Sequence, residues 1–181
     1  MARYVVRGNK RSWAVFSPDY KYRYILGRTW SGLKPLLVVA MLNPSYADHN
    51  IGDHTLTRVL SFARKDGFGR IVIVNACALI TPNPKVMAAA TDPVGGWNKE
   101  AVRTAIDCVA GDDRVVVAWG NPPSRGVEEH TRRLQSALLE RVPEIWRWGS
   151  RTKLGNPRHP LRMRADTPLV LHARVATEQR C

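Results

Sequence analysis

Cysteine is scarce in this chain. Cys77, Cys108 and Cys181 are the only three, an odd number without a C-x-x-C pair. A disulfide framework is therefore not expected, and a reducing, cytoplasmic setting is. Cys77 at a strand end and Cys108 on a helix face are expected to act as small buried apolar groups. Long hydrophobic runs are also missing. No apolar stretch approaches the roughly eighteen residues that suggest a membrane span, so no membrane partner is expected. The first apolar run is broken by Arg3 and Arg7, so a secretory leader is not expected either. No G-x-G-x-x-G, Walker A, H-E-x-x-H, G-x-S-x-G or zinc-deaminase pattern occurs. Nicotinamide, ATP, serine-hydrolase and zinc readings are correspondingly weak, and no cofactor is expected.

Acidic residues are few: 15 Asp and Glu stand against 28 Lys and Arg, a formal net charge of +13 over 181 residues. The excess is uneven. Residues 1–34 hold eight basic residues against Asp19 alone, residues 141–181 hold nine against three, and 35–140 hold eleven of each. Basic ends on a neutral middle are the footprint of a polyanion binder, and a nucleic acid is the expected partner, DNA before RNA. A basic surface that serves solubility alone is the plainer alternative. With 44% hydrophobic residues the chain can bury the core of one domain of ordinary size. We expect residues 1–181 to form that domain, with basic strands over 1–34 and a tail over 165–181, and to act as a monomer.

Hydrophobic patterning gives an α/β expectation. Short strands flank the turn at Ser17-Pro18-Asp19, and Leu36-Leu37-Val38-Val39-Ala40-Met41-Leu42 suits a parallel strand covered on both faces. Helix 55–66 follows, with Leu56, Val59, Leu60 and Ala63 on one face and Gly67 to stop it. Ile71–Val74 is a second buried strand, and a helical turn is expected near 86–90. Helix 98–110 ends at Gly111, with Asn98 as N-cap. Val115–Ala118 is the third strand, 126–141 a helix, Glu144–Trp148 the fourth strand, and Leu169–Leu171 a short further one. This order predicts a three-layer α/β/α domain with a central four-stranded, mostly parallel sheet and extra N-terminal strands.

Polar motifs follow each of the four main strands: Asn43-Pro44-Ser45, Asn75-Ala76-Cys77, Trp119-Gly120-Asn121 and Arg158-His159-Pro160-Leu161. Ligands of open α/β sheets bind beyond the strands' carboxyl ends, so Asn43, Asn75, Asn121 and His159 are expected on one rim. Asn43-Pro44 fits a ligand-aiming turn and an ordinary strand-to-loop turn equally. The Asn75 carboxamide can match a nucleobase edge or cap a neighbouring loop. Gly120 permits close backbone approach, and Trp119 is assigned to the core before a stacking platform. Asp48, His49, Asp53 and His54 crowd one loop without metal-ligand spacing, and no metal is expected. Arg151, Lys153, Arg158 and Arg162 lie in a basic, turn-rich segment suited to phosphates. His159 sits among those cations, which favour its neutral form, and a neutral His can donate to an oxygen gaining charge.

Leu42-Asn43-Pro44-Ser45, the Asp53…Thr55 region, Val74-Asn75, Asp92-Pro93-Val94-Gly95, Trp119-Gly120 and Thr152…Gly155-Asn156-Pro157-Arg158-His159-Pro160-Leu161 together resemble a family of small bacterial and phage proteins known only as a domain of unknown function. At greater distance the motif order is similar to the uracil-DNA glycosylase superfamily. That resemblance implies a base-excision fold and activity. Asn43-Pro44 is similar to the loop that positions the attacking water, Asn75 to the Asn that reads a flipped base, and His159-Pro160 to the late loop with a His near the base oxygen. It implies Asn43 and His159 as catalytic residues, and Asn75, Pro44, Ser45 and Tyr46 against the base. Tyr46 lies where some members carry a bulky screening residue. Met41-Leu42 departs from the usual Gly-containing lead-in and Leu161 from the usual Ser, departures that point to a modified or unusual base. Three cysteines do not match the four of the iron–sulfur branches. A non-catalytic nucleic-acid binder of the same fold, and an enzyme acting on free modified nucleotides, remain the alternatives.

Overall fold

A computed structural model of the chain describes residues 3–48 and 50–175; His49, Cys181 and the end of the expected tail lie outside the described residues. The chain opens with the strands β1 (Val5–Gly8), β2 (Ser12–Phe16) and β3 (Arg23–Thr29). It continues through β4 (Leu36–Met41), α1 (His54–Lys65), β5 (Arg70–Asn75), the short α2 (Pro84–Ala89) and α3 (Asn98–Asp107). Then come β6 (Arg114–Val117), α4 (Arg125–Leu139), β7 (Glu144–Trp148), a single 3-10 turn over Pro160–Arg162 and β8 (Leu169–Arg174).

These strands form one mixed sheet in the order β1-β2-β3-β5-β4-β6-β7-β8. Four of its seven pairings are antiparallel, and the three parallel ones join β5, β4, β6 and β7. The sheet is eight-stranded and mostly antiparallel as a whole, wider than the expected four mostly parallel strands with extra N-terminal ones, which here are β1–β3. The physical reason lies at the edges: β5 and β7 would otherwise present unpaired backbone donors and acceptors. β3 covers the first, pairing Leu26 with Ile73, and β8 covers the second, pairing Trp148 with Leu169.

β4 shows why a continuous apolar run becomes an interior strand. All six of its residues are buried. Leu36, Val38 and Ala40 pack with Ala101, Ala105 and Ile106 of α3 and Leu134 and Leu138 of α4. Leu37, Val39 and Met41 pack with Leu56, Val59, Phe62 and Ala63 of α1. Each large side chain so covered is worth about 1.5–3 kcal/mol. Trp148, the largest fully buried side chain, stacks on Phe62 at 5.0 Å between centroids and donates its indole N–H to Asp66 Oδ2 at 2.8 Å. That bond ties β7 to the C-terminal end of α1.

Helix ends follow local chemistry with two corrections. Asp53 caps α1, its Oδ1 accepting from Leu56 N–H at 2.7 Å, and Gly67 takes φ +91° just beyond the helix. At α3 the N-cap is Trp97, not Asn98. The Asn98 side chain is buried and donates to the Asn75 carbonyl, at the end of β5, at 2.9 Å. α3 also stops at Asp107, short of Gly111, and Cys108 is exposed, its thiol donating to Thr104 O at 3.3 Å. Cys77 is buried as expected, and burial pushes its thiol up to about 12. Among the described residues no helix is long and apolar enough to cross a membrane.

Candidate functional site

The parallel strands carry their motifs to one rim. Met41 of β4 is in register with Asn75 of β5, and Ala40 with Val117 of β6. Past the strand ends the pairing continues for a residue or two, with Ala76 N–H on Met41 O, Cys77 N–H on Leu42 O and Ala118 N–H on Ala40 O. A cavity of about 380 Å³ opens there, lined by Asn43, Ser45, Asn75, Asn121 and His159 among others. The four residues expected on one rim therefore share one cavity.

Asn43 is clamped. Its Nδ2 donates to Thr81 O at 2.7 Å and Pro44 O at 3.1 Å, while Thr81 N–H donates back to Pro44 O at 3.1 Å. This reciprocal clasp joins the loops after β4 and β5 and leaves Asn43 Oδ1 as the acceptor of that carboxamide. Asn75 is different: it is 2% exposed, and its Nδ2 is buried without a hydrogen-bond partner.

His159 stands opposite, on the loop leading into the 3-10 turn. Leu161 N–H donates to its Nδ1 at 3.3 Å, which places the proton of the neutral ring on Nε2. Its pKa is lowered, as expected, but the cause is burial and not neighbouring cations; the field of Asp53 opposes the shift. Gly120 fixes the approach of this loop. It holds φ +75°, its N–H donates to Pro157 O at 3.0 Å, and a Cβ there would stand 3.2 Å from His159 Cβ. Asn121 latches the same loop, accepting from Thr152 Oγ1 at 2.7 Å and Asn156 Nδ2 at 3.3 Å.

Residues 23–161, more than three quarters of the chain, match the family of proteins of unknown function DUF1643. The chain belongs to the DUF1643 family. No match was found among curated proteins or among solved structures. The matched span of the DUF1643 domain opens on Arg23 and closes on Leu161, and both line the cavity. Strands β1, β2 and β8 lie outside it.

Other expected contacts of the DUF1643 site are distributed differently. Pro44 is buried beneath the Asn43 clasp and Tyr46 is 67% exposed; neither lines the cavity. Leu161 lines it while remaining 45% exposed. Trp119 is buried, as assigned, with its ring forming part of the wall. Of the basic segment, Arg151 is committed internally, donating to His172 O at 2.8 Å and Gly155 O at 3.0 Å. Lys153, Arg158 and Arg162 are exposed. Asp48 binds the backbone of its own loop, accepting from Asn50 N–H at 2.6 Å and Ile51 N–H at 2.7 Å.

Sequence reasoning missed Arg23 as a site residue. It lies in β3 at 4% exposure, lines the cavity, and donates to the carbonyl of Ala47 and, at 3.5 Å, to that of Ser45. A cation directly before the buried run Tyr24-Ile25-Leu26 was the available signal. Asp53, weighed in a loop without metal-ligand spacing and as part of the family motif, is the single carboxylate lining the cavity among the described residues.

Proposed function

We propose that this chain is a DNA glycosylase-like hydrolase that takes a flipped, modified or unusual base into the rim cavity and cleaves its N-glycosidic bond. The observation that carries the reading is the unpartnered, buried Asn75 amide in a cavity shared with Asn43 and His159. Buried polar groups are mostly paired; unlike the unpartnered Arg70 Nε, Asn98 Oδ1, Arg147 Nε and His172 Nδ1, the Asn75 amide belongs to a residue that lines the cavity, where a ligand edge would complete it. A three-layer α/β/α arrangement around the parallel strands is part of the same reading, as is the likeness to uracil-DNA glycosylases.

In this reading Asn75 binds the base edge. Asn43 Oδ1, held by the Thr81 clasp, accepts a hydrogen bond from the water and aims it at C1′. Water oxygen bonds to C1′ as the C–N bonding pair passes to the base. His159 Nε2–H donates to the oxygen on which that charge gathers, and a neutral imidazole suits the task. In the same reading the proton the water loses passes to Asp53, which lines the cavity and caps α1 through Oδ1 alone. Exposed Lys153, Arg158 and Arg162 hold the phosphates, and binding to DNA is expected to weaken steeply with salt.

The test is an abasic-site assay. Oligonucleotides carrying uracil, hypoxanthine and hydroxymethylated or glycosylated pyrimidines are incubated with the protein and treated with alkali. Cleavage at one base, lost in Asn43→Ala, is the expected result. DNA retention without cleavage, unchanged in Asn43→Ala and His159→Ala, would establish the non-catalytic binder instead. That second reading is favoured by the exposed Leu161 where the glycosylase wedge loop carries Ser.

A further inference from the structure

Buried donors belong to residues that line the cavity. Arg23 and Asn75 are both more than nine-tenths buried, both line the cavity, and each has a buried nitrogen without a partner, Nε of Arg23 and Nδ2 of Asn75. Trp119, which lines both this cavity and a smaller one beside His172, holds a further buried, unpartnered N–H. No amide or hydroxyl oxygen in the site is paired with these groups, so a ligand that completes them offers acceptors.

Charge sharpens the point. Among the described residues no carboxylate lies within 4 Å of the Arg23 guanidinium. Its bonds go to the neutral carbonyls of Ala47 and Ser45. Arg28, half-buried nearby, likewise donates to carbonyls, those of Asp48 and Gly27. The acids that feel this pair are Asp53 and Asp48. Both are engaged elsewhere, Asp53 on the α1 cap and Asp48 on its own loop. Burial lowers the Arg23 pKa to about 10, so it remains a cation at neutral pH. A buried charge whose hydrogen-bond partners are all neutral is costly, and an anion in the cavity relieves it.

We propose that the cavity selects a pyrimidine carrying an acidic substituent, with keto oxygens toward Asn75 and a carboxylate-like group against Arg23. This rests on the cavity's being a base pocket. The substrate would then be a base modified by a charged group, not a neutral one such as uracil.

The first measurement is calorimetric binding of 5-carboxyuracil, uracil-5-carboxamide, uracil and uridine 5′-monophosphate to the wild-type protein. The carboxylate is expected to bind at least about tenfold tighter than its neutral carboxamide isostere, a difference near 1.4 kcal/mol. Equal or weaker binding of the carboxylate, or none at millimolar concentration, overturns the proposal. A tighter monophosphate would place a nucleotide phosphate at Arg23 and also overturns it. In Arg23→Gln the carboxylate preference is expected to vanish; a folded variant that keeps it overturns the assignment to Arg23. The wild-type comparison decides the matter even where that variant does not fold. Carboxylate preference without base release from any DNA would sink the glycosylase reading alone. Release of a neutral base without that preference would sink this proposal alone.

Discussion

At the scale of single residues, Asn75 separates stability from function. Its side chain makes no hydrogen bond inside the protein through Nδ2, yet that nitrogen is shut away from water. An unsatisfied buried donor costs about 1–3 kcal/mol. Asn75→Ala is therefore expected to leave the melting temperature unchanged or raise it, while base release or ligand binding falls on the order of a hundredfold. A clear drop in melting temperature would show that the amide serves the fold and would remove the main support for the site. Asn98 is the contrast. Its amide is bonded to the Asn75 carbonyl at 2.9 Å, so it supports the strand end that presents Asn75. From sequence the two asparagines had interchangeable appearances. A polar residue at a strand end and one at a helix start are both turn-formers, and only the tertiary contact shows that Asn98 faces inward. Arg23 was hidden for a related reason: burial of a cation depends on what surrounds it, and hydropathy reads any Arg as surface.

Elements position the site through loop-to-loop contacts, and Gly120 makes the one that sets the His159 loop. Its φ of +75° is reached freely by Gly and costs an L-residue about 1–2 kcal/mol. An added Cβ would meet His159 Cβ at 3.2 Å. Gly120→Ala is expected to destabilise by about 1–3 kcal/mol in urea unfolding and to reduce activity by displacing the His159 loop. Activity kept at the wild-type level, with the stability loss present, would show that His159 placement is not critical. The elements themselves were largely legible. The run Leu36–Met41 and the stripe Leu56, Val59, Ala63 each obey one period and match β4 and α1. The convergence of Asn43, Asn75, Asn121 and His159 on one cavity was legible too, since a strand followed by a polar turn carries its own address. The extent of the sheet was not. Pairing of β3 with β5 joins residues as far apart as Leu26 and Ile73, 47 positions, and no local pattern records it. β8 was legible only as the short strand Leu169–Leu171; its extension to Arg174 and its antiparallel place on β7 come from partners on that strand.

For the molecule as a whole, acid should weaken the fold well before its carboxylates titrate. His172 lies 7% exposed in β8, with Arg151 and Gln135 against its Nε2 at 3.5 and 3.2 Å. Burial, and then the charges of Arg151 and Arg147, press its pKa from 6.5 to about 4. Burial also lowers His159 and His130. A folded state that holds these rings neutral binds fewer protons than the unfolded chain between about pH 4 and 6.5, so stability rises with pH across that window. That contribution is complete above about pH 6.5, and for His172 it is lost as the pH falls towards 4. For His172 alone the loss between pH 7.5 and pH 5 is on the order of 2 kcal/mol. Protonation would also add to a net charge already at +13, and self-repulsion acts in the same direction. Urea midpoints measured at pH 7.5 and pH 5 should therefore differ, with the acidic value lower. His172→Gln removes the titrating group and is expected to shrink that difference by about half or more, whatever it does to the level. An unchanged difference in the variant would mean that the acid sensitivity comes from elsewhere. The surface charge would then be the first suspect, because salt would suppress a repulsive effect while leaving the burial of one ring untouched.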